Sequence, residues 1–452
     1  MFNIKSNNPN YLAKIVKLPK LQNHPNADRL QICNLLGNSI ITGLAAKEGD
    51  VYVYFPLESS LNTEYLSWSN SFADAELNRD KTKKGFFSDS GRVKACRLRG
   101  SKSEGYIVPL TDLQEWLRFC GKDFEITEDL INKDFDSFDN ILICEKHVNR
   151  QELYLLHKER LAQSRKDKKK VRVSKIIEDQ FRLSQDVEQL GRNLNKLNPE
   201  DFISISVKMH GSNGVISRVL CKKPLSWRDK LFKFFGANIV DSHYDLVFSS
   251  RTVIKNAYFD KDQGPGYYDS NIWAVEAQKV KNSLFNGISL MGEIVGYTPK
   301  GSCIQKDYDY GCEVGQSKFF VFRVTYTNPS GKVFEFSWQQ IKDYCAKFNL
   351  NHVEELYYGK AKDLFGETVK VDENWRENFY QALRDRYLEK DCYICRNKVP
   401  FEGIVLTIQK GHYEPFKLKS FNFLARESKQ LDDGVVSIED TEANVITEHK
   451  LT

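Results

Sequence analysis

The sequence predicts an α+β protein in which a small β domain precedes a larger domain of mixed strands and helices. Three observations carry this. Short β-prone runs at 13–18, 39–43 and 51–55 are separated by turn signals around His24-Pro25-Asn26, Gly37-Asn38 and Glu48-Gly49-Asp50. From about 176 to 425, strand-like runs at 202–208, 245–249, 289–295, 318–326 and 403–408 are interspersed with helix-like runs at 271–285, 337–349 and 373–388. Between the two lies a run with Arg160, Arg165, Lys166, Lys168, Lys169, Lys170, Arg172 and Lys175 and few apolar residues, the composition of an exposed connector. The expected layout is a β domain over 1–147, a basic linker over 148–175, the larger domain over 176–425 and a polar tail over 426–452, for which disorder is expected.

Composition narrows the class. The chain has 452 residues, 41% hydrophobic and 28% charged, enough for two or three domains with a sizeable core. Its formal charge of +5 permits a polyanionic partner without showing one. No apolar run is long enough to span a bilayer, and Met1-Phe2-Asn3-Ile4-Lys5 lacks a secretory apolar stretch. Ten cysteines without a disulfide-like rhythm point to reduced thiols in an intracellular, cytoplasmic protein. Cys392 and Cys395 form a lone CxxC pair; zinc would need two more ligands, so two ordinary core cysteines are expected.

Within the β domain, residues 92–100 alternate basic with apolar residues. Arg92, Lys94, Arg97 and Arg99 would then share one strand face, followed by a turn at 101–105 and a return strand at 106–109. Such a face either tracks a nucleic-acid backbone or forms a solvated edge that discourages aggregation, and the pattern alone does not choose. A short helix is expected at 113–120.

The larger domain is organised around Lys208-Met209-His210-Gly211-Ser212-Asn213. This hexapeptide follows an alternating strand in which Ile203, Ile205 and Val207 face a core, leaving Ser204, Ser206 and Lys208 on the other side. A lone strand-end lysine is most often a solvated charge. Five further stretches change that reading. Arg251 ends a strand-like run; Glu293 sits in an apolar strand; Phe320 and Phe322 share a face, as a platform for a flat ring requires. Glu402 heads a buried-looking strand, and Lys417 and Lys419 share a face. Apolar strands rarely carry unpaired buried charges, so pairing across a common cleft explains these residues together.

In this order the six stretches resemble the motifs of the covalent nucleotidyltransferase superfamily, the ATP-dependent ligases and capping enzymes. Lys208 to Asn213 resembles motif I in its RNA-ligase form, with histidine where DNA ligases and capping enzymes carry aspartate. Arg251 is similar to motif Ia, Glu293 to motif III, Phe320 and Phe322 to motif IIIa, Glu402-Gly403 to motif IV, and Lys417-Leu418-Lys419 to motif V. Arg323 departs from the family, which often has aspartate there. With the β domain in front and little chain after Lys419, the arrangement is similar to the RNA ligase 5 family, and residues 91–110 resemble that family's OB domain. The resemblance implies an N-terminal OB-type barrel followed by a nucleotidyltransferase domain of antiparallel sheets with flanking helices.

It also implies a function: ATP-dependent sealing of 3′-OH/5′-phosphate nicks in duplex RNA or RNA/DNA hybrids, through a lysyl-AMP on Lys208 and an adenylylated 5′ end, by a protein expected to act as a monomer. A free lysine has a pKa of about 10.4, and lowering it by roughly three units costs about 4 kcal/mol, which nearby cations can supply. Mg²⁺ or Mn²⁺, Lys417 and Lys419 are the candidates. Glu293 and Glu402 are expected to contact ribose and metal-bound water, and Phe320 or Phe322 to stack adenine. His210, Gly211, Asn213 and Arg251 are expected around the nucleotide, with His210 as a plain structural residue the alternative. The competing readings are a GTP-dependent capping guanylyltransferase, which the motif I histidine and the missing C-terminal barrel oppose, and a non-catalytic RNA-binding protein of the same fold.

Overall fold

The structure is a computed structural model that describes residues 1–148, 175–223, 225–237, 240–251, 254–255, 268 and 270–434. The basic run of the linker, apart from Lys175, and the tail beyond 434 lie outside the described residues. The fold is mixed α+β, and its sheets are mostly antiparallel. Two of them build the larger domain.

The first sheet has five strands in the order Glu188–Gln189, Tyr413–Lys419, Gly403–Gln409, Phe202–Lys208 and Glu355–Lys360. Its register aligns Lys208 with Gly403 and Gly403 with Lys419, and one step along aligns Ser206 with Val405 and Val405 with Lys417. Period-2 alternation therefore gathers Ser204, Ser206, Lys208, Lys417 and Lys419 on one face. The opposite face buries Ile203, Ile205, Val207, Ile404, Leu406 and Leu418 in the main core. At about 25 cal/mol per Å² of apolar surface, that burial fixes the register, because a one-residue slip would send every lysine inward.

The second sheet runs Lys175–Ile176, Ser212–Lys222, Ile288–Gly296, Ser317–Thr327 and Val333–Glu335, with Ser242–Ser249 also paired to the second strand and Asn351–His352 to the fourth. The helices Ile272–Val280, Trp338–Phe348 and Trp375–Tyr387 pack their apolar stripes into the same core. Gly211 lets the chain turn from the first sheet to the second. A Cβ there would lie 2.4 Å from the carbonyl oxygen of Ile294, a distance no side chain tolerates.

In the N-terminal part, Tyr106–Pro109, Val51–Phe55, Ala13–Lys17 and Asp134–Phe135 form a four-stranded sheet in that order; Gln22–Asn23, Leu30–Leu35 and Asn38–Gly43 form a three-stranded one. These and smaller pairs remain separate sheets, and no closed barrel is found among the described residues. The helix expected at 113–120 begins earlier, at Leu110, and ends at Phe119.

The 92–100 segment differs from its expected form. Only Cys96–Leu98 is a strand, paired with Ser101–Ser103, so the alternation does not hold over its length. Arg92 is buried rather than exposed. It pairs with Glu58 at 2.9 Å and with Asp432, and donates to the Ser428 carbonyl at 2.9 Å. Lys94 also reaches Asp432, at 2.8 Å. The Arg97 guanidinium lies 4.8 Å from the Phe421 ring centroid, and Arg99 sits exposed at the following turn with a φ of 50°. The reason is a helix at Phe421–Asp432, where the sequence suggests the start of a polar tail. Ser420 caps it, accepting from the Phe423 amide at 3.2 Å. Phe421 enters the N-terminal core, and Asp432 at the helix end draws the cations inward. This helix joins the two parts, together with the Arg384–Glu104 pair at 2.8 Å and the Arg192–Asp134 pair at 2.5 Å.

Candidate active site

A cleft of about 510 Å³ opens over the polar face of the five-stranded sheet. Lys208, His210, Gly211, Asn213, Arg251, Glu293, Phe322, Glu402, Lys417 and Lys419 all line it. Phe320, Arg92, Lys94, Arg97 and Arg99 are not among its lining residues.

The Lys208 ammonium donates to Glu402 Oε1 at 2.6 Å. Glu402 stands next to Gly403, whose own position demands glycine: a Cβ would lie 2.1 Å from the Leu418 carbonyl oxygen, and φ is +150°. That close approach sets Glu402 between Lys208 and Lys419, whose Nζ is 3.9 Å from the same oxygen. Burial pushes the Glu402 carboxyl up, but Lys208, His210 and Lys419 together outweigh it and hold the pKa at about 2.

The two motif V-like lysines have different surroundings. Lys419 also pairs with Glu427 of the Phe421–Asp432 helix, at 3.0 Å. Burial lowers its pKa, but the two carboxylates Glu427 and Glu402 overcome this and raise it. Lys417 pairs with Asp186 at 2.9 Å. There burial dominates, Lys419 and Lys208 add to it, and Asp186 offsets only part, leaving the pKa at about 8. Asp186 also accepts from Arg251 at 3.4 Å.

His210 lines the cleft and is held from both sides. Its ring packs edge-on against Tyr308 and Phe423, each at a centroid distance of 4.9 Å. Burial lowers its pKa to about 4 against the pull of Glu402 and Glu427, so the ring is neutral near pH 7. Its backbone N–H donates to the Tyr310 hydroxyl at 2.6 Å. Gln305 donates to the Gly211 carbonyl at 2.8 Å, and Trp273 to that of Asn213 at 2.9 Å, fixing the turn that follows Lys208.

On the second sheet, Asn213 pairs with Glu293 and Glu293 with Phe320. Between Met291 and Gly292 the register shifts by one, so Phe322 is the extra residue of a β-bulge. A bulge re-aims side chains. Here Phe322 and Arg323 both line the cleft, while Phe320 lies outside it. Arg323, at the departure from the family pattern, pairs with Glu335 and stacks over the Tyr413 ring at 4.3 Å.

Asp186, Glu427 and Tyr308 escape the sequence reading. For Glu427 a signal exists: Ser420 as a cap, followed by Phe421, Leu424 and Leu431 at helical spacing. Asp186 precedes a two-residue parallel strand and has no periodic context.

Residues 201–419, just under half of the chain, match the family model described as RNA ligase. No curated protein matches the sequence. Among solved structures the chain is similar to a lysine variant of the Naegleria gruberi RNA ligase with ATP and Mn, at 17% identity and a TM-score of 0.54, over 92% of this chain and 98% of that one. A second lysine variant of that ligase, with AMP and Mn, matches at 16% identity and a TM-score of 0.55 over the same shares. At these identities the structural likeness speaks for the fold alone. The family match falls on the segment that carries Lys208, Glu402 and Lys419 and supports an RNA ligase enzyme.

Proposed function

We propose that the protein seals 3′-OH/5′-phosphate nicks in duplex RNA or RNA/DNA hybrids by three nucleotidyl transfers. The observation that carries this reading is the Lys208 amine at the mouth of a cleft, 2.6 Å from Glu402 and on the same sheet face as Lys417 and Lys419. In the first transfer the Lys208 ammonium gives up one proton to water and its Nζ attacks the α-phosphorus of ATP; a phosphorus–nitrogen bond forms, the bond to pyrophosphate breaks, and a second proton leaves to water. Glu402, with a pKa of about 2, is too weak a base to keep that proton. Its role is to aim the amine. The AMP then passes to a 5′-phosphate, and a 3′-hydroxyl displaces it to close the phosphodiester.

In this reading Phe322, which lines the cleft, stacks adenine, and Arg251 and Lys417, which line it too, meet phosphate oxygens. A divalent ion fits the cleft. Glu402 Oε2 and Asn213 Oδ1 are buried oxygens with no hydrogen-bond partner among the described residues. No group of three His, Cys, Asp or Glu residues that could hold a metal is found among them either. A few hard donors completed by water and phosphate suit Mg²⁺ or Mn²⁺, with Glu293 and Glu402 acting through water. Such an ion, when bound, neutralises charge on the transferring phosphoryl group. The Naegleria ligase structures with ATP, AMP and Mn support the same nucleotide and ion here. In this reading the N-terminal part is an OB-type nucleic-acid-binding domain, and A-form duplex shape is sensed between it and the catalytic domain.

Incubation with labelled ATP and Mg²⁺ or Mn²⁺ tests the first step. Covalent AMP should form on the wild type and fall by at least about 10³-fold in Lys208→Ala, which lacks the nucleophile. Sealing across a panel of nicked duplexes, RNA or DNA in each strand, tests the rest. Covalent GMP on Lys208 from labelled GTP would overturn the ligase reading.

A further inference from the structure

Asp186 occupies the place among the cleft cations where an anion of the substrate is expected. Its Oδ1 lies 2.9 Å from Lys417 Nζ and 3.4 Å from Arg251 Nη1. Its Oδ2 accepts from the side-chain amides of Asn8 and Asn10, each at 3.1 Å. A carboxylate oxygen shared by a lysine and an arginine meets the donors and the positive charge that a phosphate oxygen requires. Asn8 and Asn10 belong to the N-terminal part, where Asn8 caps the short helix Pro9–Tyr11. Asn10 also donates to the Val187 carbonyl at 3.2 Å and accepts from the Gln189 amide at 3.1 Å. The segment carrying Asp186 is therefore tied on one side to the catalytic cations and on the other to the N-terminal part.

Resting on the function proposed above, we propose that Asp186 is an internal counter-ion that competes with the phosphates of ATP for Lys417 and Arg251, and that Asn8 holds it in place. Two anions cannot both be satisfied by this pair of cations in a partly buried site. Lys417 and Arg251 outweigh the upward push of burial and keep the Asp186 carboxyl well below the usual carboxylate range, so it does not yield by taking up a proton. It yields by moving. Movement breaks the bonds from Asn8 and Asn10, so the N-terminal part sets how readily the polyphosphate chain enters. The ATP affinity of the full chain is then an exchange of one anion for another, below what the same cations would give unopposed.

Calorimetric titration of the full chain with inorganic tripolyphosphate, in chelator and without divalent metal, tests this on wild type, Asp186→Asn and Asn8→Ala. Asp186→Asn should bind tripolyphosphate at least tenfold more tightly, and Asn8→Ala more tightly by a smaller factor. The KM for ATP in adenylylation should fall in both. Unchanged or weaker binding in Asp186→Asn overturns the proposal, because it makes Asp186 a positioning residue for Lys417. Asn8→Ala retains every cleft charge, so it decides the matter if Asp186→Asn does not fold: no gain there is also an overturning result. A wild type that forms lysyl-AMP while neither variant gains affinity refutes the counter-ion and leaves the ligase reading intact. Tighter tripolyphosphate binding in the variants of a chain that forms no lysyl-AMP does the reverse.

Discussion

Replacing Glu402 by glutamine keeps the shape of the side chain and removes the charge that Lys208 and Lys419 share. The carboxyl is 3% exposed, and its pKa falls from 4.5 to about 2 on folding, burial opposing and the cations prevailing. At about 1.4 kcal/mol per pH unit, that difference is worth about 3 kcal/mol. A carboxyl whose folded pKa is depressed contributes this stability in full above its unfolded pKa. It loses it as pH falls through the folded value, so the relevant window runs from 4.5 down to about 2. Urea denaturation followed by tryptophan fluorescence measures it. With a slope of about 3 kcal/mol per M, the midpoint of Glu402→Gln at pH 7 should lie about 1 M below wild type. The gap should narrow as pH drops below 4.5. Because Glu402 pulls the His210 pKa upward, the two titrations are linked, and the comparison is made in a His210→Asn background that removes the second group. A gap of the same size at pH 7 and pH 3 would show that the cations do not hold this carboxylate, and the account of how Lys208 is aimed would fail with it.

Phe322→Ala should raise the KM for ATP about tenfold or more, the loss of about 1–3 kcal/mol of ring stacking, while Phe320→Ala should leave it within twofold; equal effects would remove the argument from the bulge. Lys417, with a pKa of about 8, loses its charge as pH rises through that value. The kcat/KM for adenylylation should therefore fall above pH 8 in the wild type, and this falling limb should vanish in Lys417→Arg, whose guanidinium stays charged. Arg92→Ala leaves Glu58 and Asp432 without their buried partner, so chemical denaturation should show a loss of about 3–5 kcal/mol with an unchanged KM for ATP. A loss under about 0.5 kcal/mol would return Arg92 to the surface role its sequence context suggests.

The lysine strand was legible in the sequence because Ile203, Ile205 and Val207 alternate with polar residues and the register with Gly403–Gln409 is unbroken. Strand-end charges in otherwise apolar runs marked Glu402, Lys417 and Lys419 for the same reason. Alternation failed where pairing changes partway along a segment. Residues 92–95 lie outside the Cys96–Leu98 strand, so Arg92 and Arg97 have no common face. The bulge at Phe322 is equally invisible, since one extra residue in a strand leaves the local pattern intact and is defined only by the partner strand. Asp186 owes its place to a two-residue parallel pairing and to asparagines some 180 positions earlier, at separations of 178 and 176 residues, a relation no local window contains.

The two lysines at 417 and 419 show why the missed residues matter. From sequence they are equivalent, two positions apart on one face of one strand. In the structure Lys419 faces two carboxylates, Glu402 and Glu427, and its pKa rises; Lys417 faces Asp186 alone beside Lys419 and Lys208, and its pKa falls to about 8. Neighbouring groups whose surroundings push their pKa values apart take different parts in a reaction. Lys419 keeps its charge at any working pH and fixes Glu402 and Glu427 around His210. Lys417 has one carboxylate partner where Lys419 has two, so under the proposed exchange an arriving phosphate replaces Asp186 without stripping a doubly paired cation. The division follows from Glu427, 8 residues after Lys419, and Asp186, 231 residues before Lys417, and under the proposed function it gives the phosphate contact to the first of the two lysines.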